Sequence, residues 1–314
     1  MNKINYGIEQ IAVYLPEQRE AGERLLRAGV LSPKEWAELQ AQRITSVPIE
    51  QERSTLQIME LTLDQLFARG QLQPQKVKYM IAPYLYYSFP YSFDIFRYLR
   101  QRYELTDTTC FAVQGLLCSD FLMGLQIAWK LLRNGREADS RAIILSVERC
   151  LLDDQRYGGS AFLTGDASVA CVIGQGPQHD QILACKNHID IRTIPAEKFR
   201  KKEDSIQDYA FFINLATTLH HSLREAGVKL EDVKLFLPNN TTPSTWLGLA
   251  KLLRVPPSRF FTEGHQLIGH MNNCDLLLNY DLACQRGLLA SGDVYVMLSL
   301  GNGGGVGCAV CRKG

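Results

Sequence analysis

The chain has 314 residues, enough for one large core or two of ordinary domain size, and two is the expected number. Lys and Arg total 34 against 33 Asp and Glu, and a net charge of +1 gives no basic footprint for nucleic acid or for an acidic membrane surface. The expected partner is therefore a small molecule. No apolar run approaches membrane-spanning length, and the first residues lack the apolar core of a leader, so a cytoplasmic protein is expected.

Nine cysteines stand singly at 110, 118, 150, 171, 185, 274, 284, 308 and 311, an odd number mostly within apolar stretches, which suits reduced thiols. Cys308 and Cys311 have redox or metal spacing, but no second pair completes a zinc site and they read as structural. Of the six histidines, His220-His221 reads as a surface pair on an amphipathic helix. No metal is expected.

In chain order, residues 4 to 14 alternate as a strand that Leu15-Pro16-Glu17 ends. Helices follow at Glu20 to Ala28 and from Ser32, where Ser32, Pro33 and Glu35 form a capping box. Residues 44 to 48 read as loop. A helix at Thr55 to Arg69 leads to a buried strand at Val77 to Ala82, and the aromatic loop Tyr84 to Tyr91 is a candidate lining for a substrate tunnel. Helix Phe93 to Tyr103 and strand Thr109 to Val113 deliver the chain to Val113-Gln114-Gly115-Leu116-Leu117-Cys118-Ser119-Asp120-Phe121. The helix beyond ends at Asn134-Gly135. Strand Ala142 to Val147, a turn at Gly165-Asp166-Ala167 and a strand to Gly174 close the first half, with the boundary at Pro177.

The second half repeats the plan. Strand Gln181 to His188, a charged loop from Pro195 to Asp208, helix Tyr209 to Ala226 and strand Val233 to Leu237 lead to Pro238-Asn239-Asn240-Thr241. Then come helix Ser244 to Leu253, a short strand near Phe260-Phe261, a polar turn from Gly264 to Asn273, helix Asp275 to Leu289 and strand Val294 to Leu300. A glycine turn, Gly301 to Gly305, precedes the last strand, Val306 to Cys311. The order of parts predicts a duplicated α/β unit, residues 1–177 and 178–314, with two helix-start loops meeting near a pseudo-twofold axis. Such a repeat gives layered α/β/α/β/α architecture with mixed sheets.

Cys118 sits where a buried turn becomes a helix start, with unpaired N–H groups and the positive end of the helix dipole directed at its sulfur. A thiolate there can attack an acyl thioester, and the same N–H groups can receive the oxyanion. The bland alternative is a small core cysteine.

The order of parts resembles the thiolase superfamily, and within it β-ketoacyl-acyl-carrier-protein synthase III, over nearly the whole chain. The anchors are Cys118-Ser119-Asp120-Phe121, where that family usually has Cys-Ala-Gly-Phe, the turn Gly165-Asp166-Ala167, Gly303-Gly304-Gly305 and the final strand. The resemblance implies a thiolase-like fold of two pseudo-symmetric halves with mixed five-stranded sheets. It also implies an acyltransferase with no permanently bound cofactor, taking a coenzyme A or phosphopantetheine thioester from acyl-CoA or an acyl carrier protein. A homodimer, or a heterodimer with a homologue, is expected.

In that family the nucleophile works with a His after a strand-ending Pro and an Asn in a Gly-Asn-Thr turn. Here the pair is exchanged: Asn239 stands in the His position and His270 in the Asn position, with Asp275 capping the next helix or orienting His270. A second register puts Asn272 in the Asn position. The resemblance further implies an oxyanion hole from the N–H groups of Cys118 and Gly304. Trp36 and Arg156 match in position the pair that clamps the adenine of coenzyme A. Lys198, Arg200, Lys201 and Lys202 offer a candidate carrier-docking rim, or simply a solvated charge run. The exchange favours acyl transfer or a non-standard condensation in natural-product biosynthesis; the alternative is a silent partner subunit, although such subunits typically lose the cysteine.

Overall fold

The structure, a computed structural model, describes residues 5–68, 72–86, 88–90, 92–135, 137, 139–158, 161–189, 205–301 and 304–314; the side chains of residues 205–211 are outside it. The first half opens with β1 (Tyr6–Tyr14), β2 (Arg19–Ala21), α1 (Gly22–Arg27), α2 (Pro33–Ala41), β3 (Ser46–Pro48) and α3 (Thr55–Ala68). It continues through β4 (Val77–Pro83), α4 (Ile95–Arg102), β5 (Thr109–Val113), α5 (Asp120–Asn134), β6 (Arg141–Glu148) and β7 (Ala167–Gln175). The second half holds β8 (Asp180–Ile189), α6 (Ser205–Ala226), β9 (Val233–Pro238), α7 (Pro243–Leu253), α8 (Gly264–Leu267), α9 (Asp275–Gln285), β10 (Val294–Leu300) and β11 (Gly305–Arg312).

The strands run β5-β4-β6-β7-β1 in the first half and β8-β11-β10-β9 in the second. Two residue pairs, Gly7 with Gln181 and Ile8 with Asp180, join them into one nine-stranded sheet, so the two sheets expected from the sequence share an edge. The expected strand at Phe260-Phe261 shrinks to a parallel bridge between Phe260 and Phe236 on the outer side of β9. With that bridge counted, the second half follows the strand order of the first.

Strand alternation sets the layers. In β6, Ala142 and Ile144 face the central core while Ile143, Leu145 and Val147 face α3 and α4. In β10, Tyr295 and Met297 face the centre and Val294, Val296 and Leu298 face α6 and α7. The central core between the sheets is filled by α5 (Leu122, Leu125, Ala128, Leu132) and α9 (Leu276, Leu277, Tyr280, Ala283). Both helices are buried on nearly every side, which is why their sequences carry so many apolar residues around the first turns.

Differences from the sequence reading are local. Residues 46–48, expected as loop, pair as β3 with β2, and β2 takes the first two residues expected of the first helix; Arg19 holds the pair by donating to the Ser46 carbonyl at 2.8 Å. The Ser32 capping box is formed, with Glu35 N donating to Ser32 Oγ and Ser32 N to Glu35 Oε2. α9 stops at Gln285 because Gly287 takes φ +66°. Cys308 faces the outer core and Cys311 the central one, so these two sulfurs lie on opposite faces of the sheet. His220 and His221 are both exposed on α6. No described helix is long and apolar enough to cross a membrane.

Candidate active site

The two central helices begin alike. Each follows a single 3-10 turn, Leu117–Ser119 before α5 and Asn272–Cys274 before α9, and each turn opens on a non-glycine residue in the left-handed region, Leu117 at φ +54° and Asn272 at +47°. In each, the first acid of the helix folds back four residues: Asp120 Oδ1 accepts from Leu116 N at 2.7 Å, and Asp275 Oδ1 from Met271 N at 2.6 Å. The loops meet in the central layer. Asn273 closes the contact, its Oδ1 accepting from Phe121 N at 3.0 Å and its Nδ2 donating to Glu148 Oε1 at 2.9 Å.

This meeting brings Cys118, His270 and Asp275 into line. Cys118 Sγ lies 3.2 Å from His270 Nε2, and His270 Nδ1 donates to Asp275 Oδ2 at 2.6 Å. His270 and Asp275 are fully buried and Cys118 is 9% exposed. The imidazole backbone is pinned on both sides: His270 N donates to Leu163 O at 2.9 Å and Gly165 N to His270 O at 3.1 Å. Gly165 is required there, because a Cβ would stand 2.6 Å from the Pro48 carbonyl oxygen and 2.4 Å from Met271 Cε. Phe162 lies against the imidazole, ring centroids 4.4 Å apart.

Burial alone would push the His270 imidazole down, but the Asp275 carboxylate and then the Cys118 sulfur outweigh it and lift it to about 10. The ring is therefore charged at neutral pH, the state that pairs with a thiolate. The Cys118 backbone lies in the first turn of its 3-10 segment, where N–H groups have no intrahelical acceptor.

Other expected residues are placed differently. Asn239 is buried beside the site, its neighbour Asn240 donating N–H to Asp275 Oδ2, and the Asn239 amide nitrogen donates one N–H to the Leu300 carbonyl at 3.0 Å. Leu300 O can only accept, so the amide orientation is fixed and Oδ1 is left buried with no hydrogen-bond partner among the described residues. Asn239 therefore offers an unpaired acceptor oxygen, beside the second N–H of its amide, where the resemblance has the family's His.

Gly304, the expected oxyanion donor, uses its N–H to close the glycine turn onto Gly301 O at 3.1 Å. The turn still abuts the nucleophile loop, since a Cβ on Gly301 would stand 2.0 Å from Leu116 O.

Arg156 is 8% exposed and bound to Asp166 through both terminal nitrogens, at 3.1 and 3.0 Å, and to Cys150 O at 3.0 Å. Trp36 is buried in the central core, with its ring over Gly22. Neither is presented as an adenine clamp: the guanidinium is consumed by a buried carboxylate and the indole by packing. The Lys198, Arg200, Lys201 and Lys202 run lies outside the described residues. Of the aromatic loop, Tyr84, Tyr86 and Phe89 line a cavity of about 60 Å³ together with Pro83, Phe96 and Val147. Among the described residues no cluster of His, Cys, Asp and Glu could hold a metal ion.

The sequence reading did not single out Glu148, Asn273 or His265. The inward phase of β6 puts Glu148 in the central layer, where it also accepts from Leu85 N at 3.0 Å. Burial raises its carboxyl to about 8, against the lowering effect of Asn273 and Leu85. His265 Nδ1 donates to Asn240 O at 3.0 Å, and burial depresses that imidazole to about 4.

Because the Glu148 proton is held more tightly in the folded than in the unfolded chain, its stabilisation is complete below pH ~4.5 and is lost as pH rises through ~8. The melting temperature should therefore fall between pH 5 and 9 more steeply in the wild type than in Glu148→Gln. The difference should be on the order of a few kcal/mol, read by thermal unfolding across that range. Parallel curves for the two proteins would show that Glu148 does not titrate in this window.

Comparison with known proteins agrees with the fold. Residues 223–313 match the family described as 3-oxoacyl-[acyl-carrier-protein (ACP)] synthase III C terminal. The β-ketoacyl-[acyl-carrier-protein] synthase III of Rhizorhabdus wittichii is 26% identical over 223 residues, 66% of this chain and 68% of that protein. That of Aquifex aeolicus is 22% identical over 201 residues, 59% of this chain and 61% of that protein. Among solved structures, the acyltransferase ChlB3 superposes with a TM-score of 0.86 at 18% identity, covering 98% of both chains. The Aquifex aeolicus synthase III superposes with a TM-score of 0.80 at 18% identity over 98% of this chain and 99% of that one. A variant of OleA from Xanthomonas campestris gives 0.79 at 15% identity over 99% of both. With the layered fold and the opposed helix starts, these likenesses show a fold like that of the ketosynthase III enzymes, with a C-terminal segment that matches the synthase III family.

Proposed function

We propose that this protein takes an acyl group from a coenzyme A or carrier-protein thioester onto Cys118 and passes it to a hydroxyl or amine in natural-product biosynthesis. The observation that carries this reading is the continuous buried line Cys118–His270–Asp275. With the Cys118 proton already on His270 Nε2, the sulfur attacks the donor carbonyl, and the thiol of the donor leaves, taking a proton from the imidazolium. In the second step the neutral imidazole removes a proton from the incoming O–H or N–H, and Cys118 leaves as thiolate.

What supports a hydroxyl or amine acceptor is the unpaired Asn239 Oδ1. A decarboxylative condensation needs donors on a carbonyl oxygen as the enolate develops. One Asn239 N–H is held by Leu300 O, and the unpaired Oδ1 beside it suits an acceptor that still carries a proton. A silent subunit would have no use for a buried imidazolium held against a cysteine.

Incubation with a labelled acyl-CoA panel should add one acyl group by intact mass, lost in Cys118→Ala. Hydroxylamine or a simple alcohol should then discharge it, with no decarboxylation of malonyl-CoA. Wild-type protein that stays unmodified across the panel would sink the reading, and a β-keto product would overturn the acceptor class.

A further inference from the structure

Asn272 is the remaining side chain on the sulfur. Its Oδ1 lies 3.6 Å from Cys118 Sγ, it is 3% exposed, and its Nδ2 is buried with no hydrogen-bond partner among the described residues. An uncompensated buried N–H of this kind is costly, and the large majority of buried side-chain polar atoms are paired. In the thiol form of Cys118 the amide oxygen can accept from S–H. In the ion pair with the charged His270 ring that proton is on Nε2, the electron pair is on sulfur, and the oxygen faces an anion. A half-turn of the amide then exchanges repulsion for a charge-assisted N–H donation, and it gives up no other hydrogen bond because Nδ2 makes none.

We propose that Asn272 is a catalytic residue of this enzyme, turning its amide to donate Nδ2–H to the Cys118 thiolate and so holding the charged nucleophile opposite His270. This rests on Cys118 being the nucleophile proposed above. The donation ends when the sulfur is acylated and loses its charge, so the bond stabilises the reactive form and is released with each transfer. The left-handed backbone at 272 belongs to the turn itself, since Leu117 shares it, and Asn tolerates that region better than most residues. Asn273 is already committed to Phe121 N and Glu148, which leaves Asn272 as the amide free to serve the sulfur.

The test is carbamidomethylation of Cys118 by iodoacetamide from pH 5 to 10, followed peptide by peptide with buried Cys274 and Cys308 as internal references. It compares wild type, Asn272→Gly, which suits the φ of this position, and Asn272→Asp, which keeps the shape. The Gly variant should react about tenfold more slowly at pH 7, as expected for loss of one hydrogen bond to a charged group. The Asp variant should be slower still, with its profile displaced to higher pH by the like charge beside the sulfur. Two variants that melt as the wild type does and reproduce its rate and pH profile would overturn the role of Asn272 while leaving Cys118 as nucleophile. Wild-type Cys118 that reacts no faster than Cys274 would instead overturn the nucleophile itself. Should the Gly variant melt early, the Asp variant alone decides: an undisplaced profile overturns the proposal.

Discussion

His270→Gln should slow acylation of Cys118 by about 10²- to 10⁴-fold, the usual worth of a positioned proton-transfer group. Glutamine keeps a polar side chain in the pocket but can neither take the thiol proton nor carry the charge that the Asp275 carboxylate supports. The wild-type acylation rate should hold up across neutral pH, because an imidazole lifted to about 10 stays charged throughout that range. In the variant the rate should climb with pH as hydroxide replaces the lost base. Asp275→Asn should fall between the two, since an amide has one acceptor oxygen where the carboxylate serves three donors, His270 Nδ1, Asn240 N and Met271 N. Single-turnover acylation measured by quenched mass spectrometry reads all three proteins. A His270→Gln rate within a few-fold of wild type would remove the imidazole from the mechanism.

The second large effect concerns Asp166, which does no chemistry. Its carboxylate is fully buried and accepts from Glu50 N at 2.8 Å, Cys150 N at 2.9 Å and both terminal nitrogens of Arg156. Asp166→Ala takes the bidentate partner from a buried guanidinium and leaves only Glu20, 3.8 Å from Arg156 Nε, among the described carboxylates, a change that typically costs about 3–5 kcal/mol. For a chain of this size the melting temperature should drop by roughly 5–8 °C. Arg156→Met combined with Asp166→Leu should recover much of the loss, because an apolar pair of similar volume avoids the desolvation penalty. The recovery tests the structural assignment of Arg156 directly. An adenine clamp would instead leave stability nearly untouched in Arg156→Met and raise the KM for the CoA donor.

Much of the fold was legible because the central helices and strands are apolar in strict phase, and because punctuating residues fall where elements end. Pro83 and Pro238 close matching strands, and Gly135 follows the last residue of α5. What sequence could not show was which atoms of a named residue are free. Trp36 and Arg156 occupy the expected places along the chain, yet one is committed to packing and the other to Asp166. Gly304 has the expected turn, but its N–H closes that turn. Glu148 was legible in principle, since strict alternation along β6 puts a carboxyl among the inward-facing residues, an anomaly that marks a site. Asn272 was visible only as an alternative register for a single expected amide, while the structure has room for both it and His270 at the sulfur.

The paired helix starts let one backbone template carry two different chemistries. Position for position, Cys118 corresponds to Asn273, Asp120 to Asp275 and Gly115 to His270, and the two turns share the left-handed residue at 117 and 272 and the acid that folds back four residues. Reactivity is thus a matter of a few substituents on two copies of one template: one copy keeps a sulfur and a bare glycine, the other an amide and an imidazole. The acid that steadies the ring has a twin that steadies the nucleophile's own turn.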